Sequence, residues 1–539
     1  MDEYISDVIV IGAGAAGAAV AYSLAKKGFK VTCIEQGDFL ELKDYPSTKA
    51  NWETYKISKF NPDPNIRGGR ADYPVNNSNS PISIANYNGV GGSTILFSGH
   101  YPRLHPSDLR TKSLDGVAED WPISYEELEN YYDRNQENVA VAGLEGDPAY
   151  PPIKNLLPPV SLGKMGDTLA NGFNKKGWHW WPAYSAIATK AFHFQNKCLN
   201  LGPCNLGCPQ KAKSSADVTY WPKALSLGVK LMTNCRVSKI ISVNSHQVSG
   251  VKYFINKEEK FLAGKIIVLA CNGVGTPRIL LNSKSKFAVD GLANSSGLVG
   301  KNLMIHPLAY IEGEFDDDLE SNLGPQGCSI SSHEFYETNT ARGFSRGYTM
   351  QVLRGPSPIE FVIGNIKRKS MSWGQTHSEE FLDRFNKTAH ISIICEDLPE
   401  EINFVDLDPS LTDDDGIPAP RINYRISSNT KKMLSHGIKR AEEVMYAAGA
   451  TKTFCFAPVK AAGWHLMGTA RMGLDPLSSV VNEWGQSHDV PNLFIADSSI
   501  FVTSGAVNPA ATIQALALKV SDGVSSFYKK SVPEKRAAK

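Results

Sequence analysis

The stretch from residue 7 to residue 35 constrains this chain more than any other. It opens with DVIVI (7–11), a short apolar, β-branched run suited to a buried parallel strand. GAGAAG follows, with Gly12, Gly14 and Gly17, and then a small-residue helical stretch, AAVAYSLAKKG, ending at Gly28. A second strand, KVTCIE, closes at Glu35. Each glycine has its own task. Gly12 permits a tight turn, Gly14 lets backbone approach a pyrophosphate, and Gly17 lets the helix pack on the strand. The helix N-terminus then faces the anion, and an acid about 20 residues on binds the ribose hydroxyls. A glycine-rich hexapeptide alone is compatible with a turn in an ordinary α/β protein. Strand, glycines, helix, strand and acid in this order point to a dinucleotide.

The far end of the chain says which one. PNLFIADSS (491–499) reads as an apolar strand ending in Asp497. Asn508 and Pro509 then open a helix, AATIQALALKVSDGV, with Asn as N-cap and Pro at the first helical position. A phosphate loop at one end completed by a strand–Asp–helix unit at the other is how FAD-binding folds are usually assembled. An NAD enzyme seldom needs the distant half.

Composition removes several alternatives. Lys+Arg 56 against Asp+Glu 55 gives a net charge of +1, which leaves no electrostatic case for nucleic acid. No apolar run reaches the roughly 18 residues of a membrane helix. Met1 to Asp7 holds three acids and no base, unlike a secretory signal, and nine cysteines in 539 residues make no disulfide framework. The expectation is a cytoplasmic protein, with export alongside a partner subunit left open.

Between the two ends, residues 45–85 lack periodicity and read as a long loop over the nucleotide. GVGGSTI (89–95) offers a second close approach of backbone to a ligand, through Gly91, Gly92 and Ser93. Ser124, followed by Glu126 and Glu127, heads an amphipathic helix. GWHWWPAYSAI (177–187) concentrates Trp178, Trp180, Trp181 and Tyr184, which either line a substrate pocket or, as the preferred reading, pack between domains. Cys198, Cys204 and Cys208 match no paired zinc module. Three thiolates could hold an iron–sulfur cluster, but a reduced structural loop is preferred and no metal is expected. Residues 229–240 and 265–282 return to the nucleotide domain. From about 310 to 460, FVIGNIKRK, AHISIICEDLP and EINFVDLDP read as short strands, with a helix near 428–449 and a hairpin turn, not a calcium loop, at Thr412–Gly416. The fold class is therefore α/β, α+β overall: a Rossmann-like FAD-binding domain plus an antiparallel-sheet substrate domain with helices. GWHLMGTARMG (463–473) places His465 among small and apolar residues, a setting more often occupied by a satisfied core histidine than by a base.

Taken in order, GAGAAG (12–17), GVGGSTI (89–95), GTPRILL (275–281), HLMGTARMG (465–473) and NLFIADSSIFVTSGAVNPAATIQALAL (492–518) resemble the glucose–methanol–choline (GMC) flavoprotein oxidoreductases over essentially the whole chain. The bacterial sugar and polyol dehydrogenase branch is the most similar. The resemblance implies His465 as base and Asn508 as its active-site partner. It implies FAD contacts at Gly12, Gly14, Gly17, Glu35, Gly91, Gly92, Ser93, Val237, Asp497 and Pro509, with Val237 serving the adenine through its backbone. It also implies a discontinuous FAD-binding domain (1–150, 215–310, 460–539) and a substrate-binding domain with cap loops (151–214, 311–459). Some members link FAD covalently through a histidine where this chain has Leu96, so noncovalent FAD is expected. Phe97 replaces a frequent Asn, Lys197 replaces the first of two adjacent cysteines in cluster-bearing members, and Asn272 stands where Gly is usual.

The activity so implied is FAD-dependent oxidation of a hydroxyl of a small molecule (sugar, polyol or other alcohol), by hydride transfer to flavin N5 with a histidine base. Helix-start amides near Pro509 would stabilise negative charge at the reduced flavin's N1–C2=O locus. The electron acceptor is oxygen, a quinone or a cytochrome. A non-redox flavin lyase or isomerase on the same scaffold, or a non-catalytic FAD-binding subunit, are the alternatives.

Overall fold

The computed structural model describes residues 6–531 except 326 and 328. Five of the first seven positions, residues 1–5 of the acidic start, lie outside that range. The strand Ser6–Ile11 sits between two parallel neighbours, Val31–Ile34 and Glu258–Leu269. Val8, Ile9 and Val10 are fully buried, as a strand covered on both faces requires. Lys230–Met232 extends one edge, and Leu493–Ile495 lies parallel to the end of Glu258–Leu269. The start of Glu258–Leu269 turns antiparallel onto Gln247–Ile255, which pairs with Arg236–Asn244 to complete seven strands. The helix Ala15–Lys26 packs against this sheet through alanines and Gly17, where a Cβ would lie 1.9 Å from the Gly12 carbonyl oxygen.

A second sheet has six strands in the order Lys452–Phe456, Leu308–Glu314, Thr388–Cys395, Tyr348–Leu353, Ile330–Ser332, Trp181–Pro182. Its period-2 alternation divides two environments. Ala309, Ile311, Met350, Val352, Ile391 and Ile393 form an apolar core with Met433, Val444 and Met445 of the helix Ser428–Ala448. The opposite face, with Tyr310, Glu312, Gln351, His390 and Ser392, looks into a large cavity.

Two expectations change. FVIGNIKRK is not a strand: Ser357 and Glu360 form a capping box around Pro358, and the run becomes the helix Pro358–Lys367. A short apolar run has no decisive period, and the cap decides it. EINFVDLDP is a strand, but Phe404–Thr412 joins a separate three-stranded sheet with Pro418–Asn423 and Asn76–Asn79. Asn76–Asn79, with the short helices Trp52–Lys56 and Pro64–Arg67, also gives structure to the expected loop at 45–85. The hairpin at Thr412–Gly416 forms, and its Asp413 is a fully buried carboxylate between Arg236 (3.1 Å) and Arg278 (2.6 Å). Trp178 and Trp180 pack on the second core, and neither they, Trp181 nor Tyr184 lines the cavity. Ser124 caps the helix Tyr125–Gln136 by accepting from the Glu127 N–H.

Candidate active site

Between the two larger sheets lies a cavity of about 690 Å³. One end is the glycine cradle. Gly12, at φ 97°, turns the chain from the first strand. Gly14 is different: its φ is −75°, and a Cβ there would meet nothing closer than Gly92 Cα at 3.8 Å. Protein packing therefore does not demand glycine at 14. The helix behind it has no side-chain cap and no acid in its first turn, so its N-terminal amides are open to an anion. Gly92 closes on the same loop, since a Cβ there would lie 2.7 Å from Gly14 Cα. Glu35 lines the cavity with its oxygens accepting from Ala13 N (2.8 Å) and Gly37 N (3.0 Å). Burial pushes its pKa up, against these amide bonds. Open amides, an acid and a glycine-lined groove fit a pyrophosphate–ribose unit of FAD.

Ser93, Val237, Asp497 and Pro509 line the same cavity, whereas Gly17 and Gly91 stand behind its wall. Gly91 holds φ 102° and donates its N–H to Ala13 O at 2.9 Å, joining the two glycine loops. Asp497 spends its carboxylate on protein, accepting from Cys271 N (2.7 Å), Thr276 Oγ1 (2.5 Å) and Ser499 N (2.9 Å). Asn272 explains itself here: it sits at φ 66°, a conformation Asn tolerates, and its Oδ1 caps the Val274 and Gly275 amides. The last helix starts one residue later than expected, at Ala510, with Pro509 O accepting from Ile513 N. Asn508 is thereby free of capping duty.

His465 and Asn508 meet at the cavity wall, with Asn508 Nδ2 3.4 Å from His465 Nε2. The hydrogen bonds around them have one consistent direction. Gly505 O can only accept, so His306 Nε2–H donates to it at 2.7 Å. Neutral His306 then has a bare Nδ1, which accepts the Nδ1–H of His465 at 2.8 Å. That leaves His465 Nε2 unprotonated. On the other side, Gln351 Nε2 donates to Asn508 Oδ1 at 2.6 Å, which turns the Asn508 amide N–H toward that bare nitrogen. Burial, then His306 and His100, hold the His465 pKa well below 6.5, and burial takes His306 down to about 4. Both rings are neutral near pH 7.

His306, Gln351 and His100 escape sequence reasoning, because none stands in a motif and only the fold brings them to the His465–Asn508 pair. Lys213 escapes it as well. Its buried ammonium donates to Ile95 O (2.7 Å), Phe97 O (2.9 Å) and Cys204 O (2.6 Å), clamping the segment after the glycine pair to the cysteine loop. Burial lowers its pKa to about 8. Among the described residues, no group of three or more His, Cys, Asp or Glu side chains is arranged to hold a metal ion, and no helix is long and apolar enough to cross a membrane.

Comparison with known proteins agrees with this geometry. GMC oxidoreductase family models match residues 169–308 and 399–517, and an FAD-dependent oxidoreductase model matches residues 7–52. The chain is 40% identical to 2-methyl-1,2-propanediol dehydrogenase of Mycolicibacterium austroafricanum, over 98% of this chain and 97% of the relative. It is 27% identical to the fructose dehydrogenase large subunit of Gluconobacter japonicus, over 97% and 98%. The crystal structure of pyridoxine 4-oxidase from Mesorbium loti shares the fold, with a TM-score of 0.66 at 14% identity over 97% of this chain and 99% of that one. A dinucleotide cradle at one end of the cavity, a bare imidazole nitrogen in its wall and a relative alignable from end to end lead to one conclusion: the chain is an FAD-dependent oxidoreductase of the GMC family.

Proposed function

We propose that the chain oxidises a hydroxyl-bearing carbon of a small alcohol, polyol or sugar, with His465 as base and Asn508 as its partner. The direction of the hydrogen-bond chain through His306 carries this reading. It leaves His465 Nε2 as an acceptor at the cavity wall, beside an amide N–H that is 3.4 Å away and only weakly engaged. A substrate hydroxyl between them donates its proton to Nε2 and accepts from Asn508 Nδ2. The surrounding burial excludes water and keeps the imidazole neutral, ready to take a proton. When bound, FAD supplies N5 as the hydride acceptor.

Gly12, Gly14, Glu35, Gly92, Ser93, Val237, Asp497 and Pro509 would hold the dinucleotide, with Gly17 and Gly91 shaping the loops that do so. Leu96 offers no atom for a bond to the ring, which favours noncovalent FAD. The FAD-binding domain comprises 1–150, 215–310 and 460–539, a division supported by the location of all seven strands of the larger sheet within these segments. Residues 151–214 and 311–459 form the substrate side. Oxygen, a quinone or a cytochrome takes the electrons.

The test is anaerobic stopped-flow reduction of the bound flavin by the best alcohol. His465→Ala should slow it by about 10²–10⁴-fold, the usual worth of a positioned base. A loss smaller than about tenfold removes His465 from the role.

A further inference from the structure

Gly505 supplies the carbonyl that accepts from His306 Nε2–H. It stands at φ 59° in buried chain, where a Cβ would lie 2.6 Å from Leu104 Cδ2. Residues 501–507 belong to no strand or helix, so side chains take over the placing of this backbone.

Both flanks of Gly505 are gripped. On one, Ala506 N donates to Tyr336 Oη at 3.0 Å, and Tyr336 in turn donates to Asp108 Oδ2 at 2.7 Å. A hydroxyl has one proton, so the carboxylate fixes its direction and leaves a lone pair for the amide. Asp108 is itself fixed, with Oδ2 accepting from His105 N (2.7 Å) and Oδ1 from Arg346 Nη2 (2.6 Å). Arg346 is fully buried and gives Nε–H to Glu396 Oε2 and Nη1–H to Asp115 Oδ2, each at 2.8 Å. On the other flank, Ser504 Oγ accepts from Asp397 N and lies equally close to Asp397 O, both at 3.0 Å. The Asp397 carboxylate reaches the imidazole's side as well. Its Oδ2 accepts from Tyr424 Oη (2.7 Å) and from the N–H of Ile305 (2.9 Å), the residue before His306. Glu396 and Asp397 are consecutive, just past the strand Thr388–Cys395, so one short segment of the second sheet anchors both grips.

A displaced Gly505 carbonyl has a chemical effect beyond lost stability. Without that acceptor, nothing selects the His306 tautomer whose Nδ1 is bare. The other tautomer donates Nδ1–H to His465 Nδ1 and leaves the His465 proton on Nε2, which then has no lone pair for a substrate proton.

We propose that Tyr336 and Ser504 are positioning residues for the oxidation. By gripping the backbone on either side of Gly505, they keep its carbonyl on His306 Nε2 and so keep His465 Nε2 bare. The inference rests on the assignment of His465 as base and extends it to residues two bonds removed from the substrate.

The experiment is anaerobic stopped-flow reduction of the FAD-loaded enzyme by its best alcohol, in the wild type, Tyr336→Phe, Ser504→Ala, His465→Ala and Tyr220→Phe. Tyr220 is a matched control: its buried hydroxyl donates to Asn135 Oδ1 at 2.7 Å, and it does not line the cavity. Tyr336→Phe and Ser504→Ala should each lower the limiting rate of flavin reduction at least about tenfold, with the alcohol's Kd within about twofold. Tyr220→Phe should lose Tm as Tyr336→Phe does, yet reduce flavin within about twofold of the wild-type rate. A tautomer change takes up no proton from solvent, so the deficit should stay constant from neutral to alkaline pH. A deficit below about tenfold in a folded, FAD-loaded variant removes that residue from the role. A deficit matched by Tyr220→Phe, or one that closes as pH rises, assigns the effect to stability or to charge and overturns the proposal. If Tyr336→Phe does not fold, Ser504→Ala decides whether the Gly505 carbonyl must be held. Slow His465→Ala beside fast Tyr336→Phe and Ser504→Ala removes the positioning alone; His465→Ala within about tenfold of wild type removes the base reading and the positioning with it.

Discussion

In its proposed role as base, His465 depends on the nitrogen that does not face the cavity. His306 takes the Nδ1–H only because Gly505 O has already claimed the Nε2–H of His306. His306 is thus a positioning residue, and replacing it releases the tautomer. His306→Asn should slow flavin reduction by about 10–100-fold. A merely structural role would leave the pH profile where it was, so the profile is the deciding measurement. Because the His465 pKa is depressed, first by burial and then by His306 and His100, the base stays neutral through the whole neutral range. Activity should be flat near pH 7 and fall only as pH drops well below 6.5, through the folded-state pKa. In His306→Asn that acid limb should move up toward neutral pH. The residue scale also marks what was legible beforehand. His465 and Asn508 stand in motifs, whereas His306 and Gln351 stand in apolar strands and flanks where nothing local distinguishes them.

Secondary-structure elements explain why two glycines in one hexapeptide differ. Gly17→Ala forces a Cβ to 1.9 Å from Gly12 O, so the first helix must move and the apoprotein should lose stability. Gly14→Ala meets only Gly92 Cα at 3.8 Å with an ordinary φ, so the apoprotein should melt as before while its FAD affinity falls at least about tenfold. Differential scanning of both apoproteins and FAD titration of the refolded chains separate the two. Equal loss of stability in both would mean that packing, not the ligand, selects Gly14. At this scale the sequence was readable wherever local chemistry agreed with context: the buried first strand, the Ser124 cap, the hairpin at 412–416. It was unreadable at 358–367, where an apolar run carries no decisive period and a capping box at its head determines the helix.

Across the whole molecule, the first helix and the last helix lie side by side. Ser23 Oγ and Ser521 Oγ are 2.6 Å apart, and Lys27 donates to Asp522 at 2.5 Å. The cavity wall is likewise made by both ends of the chain, from Ile11 to Ile513. A dinucleotide held there joins segments that the backbone leaves far apart, so its removal should lower Tm. Readdition at a thousandfold excess over Kd should restore about 4 kcal/mol. With Leu96 at the covalent position, the flavin should appear free in the supernatant of denatured protein; yellow precipitate would contradict noncovalent binding. The nucleotide motifs were legible because they bracket the chain, but the cavity-facing wall of the second sheet was not, since its register depends on pairings between residues up to 150 apart. The Gly505 carbonyl has one more consequence. An amide oxygen does not pass protons onward at the pH values of life, so the pair of rings behind the substrate is an anchorage and not an exit. A proton taken up by His465 in its proposed role therefore leaves on the cavity side, where Nε2 stands, and not through the pair of rings.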